Sequence, residues 1–285
     1  MLILNGQSLP TPFLSKSFAE EPAYRLTSDK GPRRSSDWVR GIVVHTTQGR
    51  YPQPILPGLG RGGGALANIR YWNRSPDYAG AHLLVDTDGT VYQTADLVTE
   101  QTWHATNVNP VTVGIEVVQG NDGSLYQGQL AATVQLVNWL TANLGIQRQI
   151  PLPYAGHALE RLSSGGRDVV GVYGHRDQTS NKGRGDPGDA IMQMLADAGY
   201  ERFDIGAGQD LDVWRSRQQS LGVTASGVPD AATVEALKTT RPNGIWVSDP
   251  AEGVDAGTGI ALVAGLAVAA VLMVVIVKYA PRPRR

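Results

Sequence analysis

The sequence predicts an α/β fold: a mixed central β-sheet flanked by helices, followed by a small helical module and one C-terminal transmembrane helix. Three observations carry this. Strand-like and helix-like patterns are interspersed across residues 38–200 rather than segregated. Several of the strand-like runs are apolar throughout, "GIVV" and "GVYG" among them, as strands covered on both faces are. Residues 259–277, "GIALVAGLAVAAVLMVVIV", carry no charge, and at about 1.5 Å per residue they match a bilayer core of roughly 30 Å.

Taken in order, residues 1–37 mix proline, serine and charge and predict an irregular N-terminal arm. "WVRGIVVH" predicts a strand entering a core. "GALANIRYWNR" has helical spacing, with Leu66, Ile69, Tyr71 and Trp72 available to pack. "AHLLVDTDGTVYQ" predicts a hairpin, two β-rich runs around Asp88 and Gly89. "TVGIEVVQ" is a further strand. "GQLAATVQLVNWLTANLG" is an amphipathic helix closed by Gly145 as its C-cap. "DVVGVYGH" is another strand and "DAIMQMLADAG" another helix, and residues 38–200 thus form one domain. Residues 209–247 predict two short helices around a Gly/Pro turn, too few to enclose a deep site. Residues 248–258 read as a polar, glycine-rich linker to the span at 259–277, and 278–285 as a basic tail.

Composition narrows the function. With 41% hydrophobic residues the chain can build a core. Its 25 basic and 26 acidic residues leave a net charge of −1, which argues against a nucleic-acid partner, since that needs a basic footprint. There is no cysteine, so disulfides and thiolate metal sites are excluded, and any metal must be held by His, Asp or Glu. The N-terminus lacks a basic stretch followed by a long apolar one, so no signal peptide is expected. The tail "KYAPRPRR" prefers the cytoplasmic side, which would put the domain outside. The two cues conflict. One resolution is a phage protein, used at lysis or carried in a virion membrane, so the expected location is a host cell or virion membrane.

Five histidines are present: His45, His82, His104, His157 and His175. His45 and His175 each end an apolar run, so each imidazole is delivered to a sheet edge where loops converge. If the two strands are neighbours, the rings can share a metal, with Asp186 as third ligand from the turn "NKGRGDPG". Spacing alone leaves the alternative of surface or hydrogen-bonded core histidines.

Residues 38–198 resemble the zinc amidase family that includes bacteriophage lysozyme-type amidases and peptidoglycan recognition proteins. Five pieces occur in that family's order: "VVHTT", "AHLLVDTDGTVYQ", "TWHATNVN", "VGIEVV" and "GHRD…DPG". The resemblance implies hydrolysis of the amide between N-acetylmuramic acid and L-alanine in peptidoglycan, with zinc as cofactor. His45, His175 and Asp186 would be the zinc ligands and Glu116 the base that deprotonates water. A basic residue two positions before the last ligand would stabilise the oxyanion. That position is Arg184, the expected choice, with Lys182 kept open because the loop lacks the relatives' usual Pro-Gly. Trp103, His104 and His82 would line the substrate groove, though for His82 a structural role fits as well. Asp177 would support a ligand from behind, and His157 matches nothing in the family. "RQQSLGVTASGVPDAATVEALK" resembles peptidoglycan-binding helical modules, with a generic helical hairpin as the alternative. The competing functions are a non-catalytic peptidoglycan-binding membrane protein of the same fold and a structural membrane protein with a relict domain. Expected partners are peptidoglycan and the lipid membrane.

Overall fold

The computed structural model describes residues 1–34, 39–151, 171–178 and 182–203, with 218–219, 221–225, 232 and 236. His157, the helical module, the linker, the apolar segment 259–277 and the basic tail lie outside the described residues, apart from those last positions. Among the described residues no helix is long and apolar enough to cross a membrane.

Among the described residues twelve strands occur in chain order. They are β1 (Leu2–Leu4), β2 (Gln7–Leu9), β3 (Ser15–Ser17), β4 (Gly41–Thr46), β5 (Ile55–Leu56), β6 (Leu83–Val85), β7 (Val91–Gln93), β8 (Thr112–Val117), β9 (Leu125–Tyr126), β10 (Gln149–Pro151), β11 (Gly171–Gly174) and β12 (Glu201–Phe203). The main helices are α1 (Gly64–Arg74), α2 (Gln127–Leu144) and α3 (Asp189–Asp197), and His175–Gln178 forms one helical turn. Six strands make the central sheet in the order β11-β4-β8-β6-β7-β3. Four of its contacts are parallel and one, between β6 and β7, is antiparallel, so the expected mixed sheet is present.

Alternation along the strands sorts side chains to two faces. Ile42, Val44, Val113, Ile115, Val117, Leu83 and Val85 pack with Leu130, Leu136, Val137 and Leu140 of α2 and with Ile191, Met192 and Leu195 of α3. The opposite face carries Leu84, Tyr92 and Val118 against Ala65, Ile69 and Trp72 of α1. Helices thus cover both faces. Within α1 the buried set is Ala65, Ile69 and Trp72, while Tyr71, expected to pack, is exposed. Gly145 ends α2 with φ 62°, the left-handed cap expected of it.

The N-terminal arm is not irregular. Asn5 and Gly6, with φ 49° and 75°, turn β1 back onto β2, and Leu2 and Leu4 enter the main core. Strand β3 then adds to the central sheet alongside β7. The signal was the Asn-Gly pair between the apolar run "LIL" and "QSL", a hairpin turn of the primed type.

Candidate metal centre

Register places the chemistry. Strands β11, β4 and β8 run parallel, with Gly174 opposite Val44 and His45 opposite Glu116. His175 follows Gly174 directly, so His175, His45 and Glu116 reach one level at the carboxyl ends of three adjacent strands. In open α/β sheets that edge is where ligands bind. The turn from residues 182 to 188 then returns Asp186 to the same point. Its position is fixed by backbone: Thr46 N donates to Asp186 Oδ1 at 3.1 Å, and Arg176 N donates to Asp186 O at 2.7 Å. The Thr46 hydroxyl and the Gln53 amide both donate to Gly185 O.

His45, His175 and Asp186 are all buried, and their ligand atoms lie within 4.8 Å of one another. His45 Nδ1 is 3.6 Å from Asp186 Oδ1, and His175 Nδ1 is 3.2 Å from Asp186 Oδ2. Protonation decides what such a cluster can hold. Burial, then the charges that His175, His104 and Lys182 would bring, push the His45 imidazole well below its usual range, so it is neutral. His104 is neutral too, for burial first and His82 second.

Neutral rings fix the hydrogens. The Thr112 hydroxyl donates to Val108 O at 2.9 Å, so it accepts from His104 Nε2–H at 3.2 Å. His104 Nδ1 is then bare and accepts from His45 Nε2–H at 3.1 Å. His45 Nδ1 is bare in turn, and it faces a carboxylate. Neither ring nitrogen of His175 has a hydrogen bond. The bare His45 Nδ1 and the Asp186 carboxylate are both acceptors, and a cation between them would satisfy both. Two imidazoles and one carboxylate match a zinc donor set with room for a further ligand. The residues therefore fit a divalent metal, and the His45–His104–Thr112 hydrogen-bond chain sets the tautomer of His45.

Glu116 stands beside this cluster, partly open to the cleft. Burial, then the neighbouring Asp186 charge, raise its carboxyl well above the usual range, with Lys182 pulling the other way. A carboxylate of raised basicity at that edge can take a proton from water.

The two cations of the turn have different surroundings. Lys182 lines the cleft with Nζ 3.5 Å from Asp186 Oδ2. Arg184, the residue expected there from its place in sequence, is turned aside: it is ion-paired with Asp189, its Nε 2.8 Å from Oδ2, and its guanidinium lies over Tyr51. Asp189 also accepts from the fully buried Arg176 at 2.6 Å.

Of the residues expected to line the groove, Trp103 and His104 do so, in a cleft of about 710 Å³ that also includes Asn68, Trp72 and Tyr78. His82 does not. Its side chain is fully buried, its Nδ1 accepts from Gly114 N, and its Nε2 lies 3.0 Å from Glu100 O and 2.9 Å from Arg34. This makes it a packing residue under the site. Asp177, expected behind a ligand, instead accepts from Gly174 N at 2.9 Å, and burial raises its carboxyl to about 6. Gly114 is needed for close approach, since a Cβ there would meet His104 Cγ at 2.5 Å.

Sequence reasoning missed Thr112, Arg34 and Tyr78. Arg34, pulled down to about 9 by burial, donates to Asn109 O and Thr112 O and ties the segment before β8 in place. No local pattern marks Arg34, because its partners lie 48 or more residues away, and Thr112 reads as an ordinary strand residue. Tyr78, an aromatic in the polar loop "NRSPDYAG", did carry a signal.

An α/β sheet with a two-histidine, one-carboxylate cluster at its carboxyl edge defines a class of candidate metallohydrolases. The family model for N-acetylmuramoyl-L-alanine amidase matches residues 34–189, more than half of the chain, and the chain belongs to that family. Solved structures similar to it include a mutant endolysin from Bacillus subtilis, 18% identical, covering 65% of this chain and 99% of that one with a TM-score of 0.39. Another is the endolysin of the Thermus scotoductus bacteriophage Ph2119, 18% identical over 64% of this chain and 97% of that one, with a TM-score of 0.37. A third is the Drosophila peptidoglycan recognition protein SD, 14% identical over 69% and 99%, with a TM-score of 0.34. Among curated proteins nothing matches.

Proposed function

We propose that this protein is a zinc-dependent peptidoglycan hydrolase that cleaves the amide between N-acetylmuramic acid and L-alanine. The observation that carries the reading is the meeting of His45, His175 and Asp186 within 4.8 Å, with Glu116 paired to His45 across the sheet. These three side chains would hold the zinc, which supplies Lewis acidity and makes water a nucleophile near neutral pH. Glu116 takes the proton of the attacking water as its oxygen bonds to the amide carbon. The same carboxyl then returns that proton to the L-alanine nitrogen as the C–N bond breaks. Lys182 faces the carbonyl oxygen where negative charge develops. His104, through His45, keeps the first ligand in its binding tautomer.

The chain's other parts complete the proposal. Residues 209–247 hold the enzyme to the wall, and 259–277 anchor it in a host cell or virion membrane, with the basic tail on the cytoplasmic side. A phage lytic enzyme would use this arrangement at the membrane next to its substrate.

A paired comparison tests the site. His175→Ala is expected to lose bound zinc and release of peptide from purified walls together. Glu116→Gln is expected to keep zinc by elemental analysis and lose about 10²–10⁴-fold in kcat. Full turnover by zinc-free His175→Ala would overturn the metallohydrolase reading, and parental turnover by Glu116→Gln would move the base elsewhere. A parent that binds zinc and walls but releases no peptide would leave the binding-only function.

A further inference from the structure

The cleft has two unlike sides. Among its lining residues the charged side chains are Glu116, Lys182 and Asp186, all at the histidine cluster. The opposite side is neutral and built around Tyr78 and Trp103, whose rings meet edge to face with centroids 5.8 Å apart. Tyr78 is 70% exposed. One exposed aromatic is ordinary, but this one stands over a buried ammonium.

Beneath it lies Lys30, 2% exposed, its ammonium 5.2 Å from the Tyr78 ring centroid. That ammonium donates to Ser75 O at 3.0 Å and to Asp77 O, so it clamps the loop on which Tyr78 stands. Burying an ammonium is expensive unless it is paired; here Asp29 Oδ2 lies 3.7 Å away and the hydrogen bonds go to the backbone of an exposed loop. Trp103 is fixed from the same segment. Its Nε1–H donates to Asp29 O at 2.8 Å, so it presents ring surface to the cleft and no free donor. Leu26 closes the assembly from behind, near enough to Gly80 that a Cβ there would meet Leu26 Cδ1 at 2.8 Å.

We propose that Tyr78 and Trp103 form a saccharide-binding wall, a subsite for the N-acetylhexosamine rings of the glycan strand, with Lys30 as the positioning residue that preorganises it. The inference rests on the peptidoglycan reading and names which arm of the substrate goes where. A pyranose ring is neutral and offers an apolar C–H face that covers an aromatic ring, while its hydroxyls and acetamido group take neutral partners such as Asn68. A stem peptide carries carboxylates, and the neutral wall gives them no cation. The peptide arm therefore leaves toward Lys182, and the glycan lies along the aromatics. Rigid aromatic surface lowers the ordering cost of binding, which is the use of a clamped loop.

The test uses the full-length protein in a non-glycosidic detergent and the trisaccharide of N-acetylglucosamine, which has neither a peptide nor the scissile amide. Calorimetric titration is expected to show saturable binding, weakened about tenfold in Tyr78→Ala and in Trp103→Ala. Lys30→Met is expected to raise KM on polymeric wall by a similar factor with kcat and zinc content unchanged, a split that general unfolding does not give. Absence of saturable binding, or parental affinity in Tyr78→Ala, overturns the wall. A parent that binds the trisaccharide normally but releases no peptide from walls keeps the wall and overturns the hydrolase reading, so the two failures are separable.

Discussion

The two sides of the cleft are built by different means. On the histidine side, His45 and Glu116 sit on neighbouring parallel strands and His175 directly follows the end of a third, so the hydrogen-bond ladder sets their relative heights. On the aromatic side, Tyr78 and Trp103 sit on loops, the first held by the buried Lys30 side chain and the second by one hydrogen bond to the Asp29 carbonyl. A ladder shares positional error over many backbone bonds. A clamp such as Lys30 concentrates it in one residue. Reacting groups need placement within a fraction of an ångström, and His45, Glu116 and His175 take theirs from the ladder, with Asp186 bonded back to it through Thr46 N; the side proposed to hold substrate, which tolerates more, lies on the clamps. Substitutions on the first side should therefore change kcat or metal content, and those on the second should change affinity or stability.

The largest effect that can sharpen this contrast comes from the two cations of the 182–186 turn. Lys182→Ala is expected to lower kcat about 10²–10³-fold with little change in KM, the size of one lost oxyanion donor. Arg184→Ala is expected to leave kcat within about threefold, because its guanidinium is engaged by Asp189 and Tyr51 and is about half exposed. Steady-state kinetics with zinc content checked decides between them. A large kcat loss confined to Arg184→Ala would reverse the assignment, and would show that the turn is not held as the ladder holds the strands.

Lys182 and Arg184 also show where sequence stops being informative. The strand-end histidines were legible because a run such as "GIVVH" states both its burial and its exit point. Asp186 was legible from motif order, and Glu116 from a carboxylate amid apolar neighbours. The choice of cation was not, since two residues of a glycine-rich turn differ only in which partner each finds, and Asp189 is supplied by the following helix. The N-terminal arm failed for the same reason. Its strand β3 is three residues long and has no period of its own; only pairing with β7 makes it a strand. The Asn5–Gly6 turn, by contrast, was readable and overlooked. His82 looked like a groove residue because motif order carries no depth, and its partners Arg34 and Gly114 lie 48 and 32 residues away.

A smaller effect tests whether the ladder side extends outward through its second layer. Thr112→Val keeps shape and removes the hydroxyl that accepts from His104 Nε2–H. His104 then loses the hydroxyl acceptor that favours a bare Nδ1, and His45 loses part of what fixes its tautomer. Zinc affinity, measured by competition with a chelator, is expected to fall about tenfold, at the low end of what outer partners contribute. Unchanged affinity would show that His45 holds its tautomer without this chain.

The smallest effect probes the N-terminal segment by itself. Gly6 has φ 75°, a conformation that costs a residue with a Cβ, and a Cβ added there meets no atom within 4 Å. Gly6→Ala therefore isolates backbone strain from crowding. Its cost is expected to be about 1 kcal/mol, roughly a fivefold shift in the unfolding equilibrium. Strain at the turn loosens β1 against β2, and through Leu2 and Leu4 it reaches the core beneath the sheet. It does not reach the strand ends, because β1 is not part of the six-stranded ladder. The denaturation midpoint should drop while kcat and zinc content stay parental. A loss of zinc in Gly6→Ala would mean that the arm supports the histidine side directly, and the division of the cleft into a ladder side and a clamped side would fail.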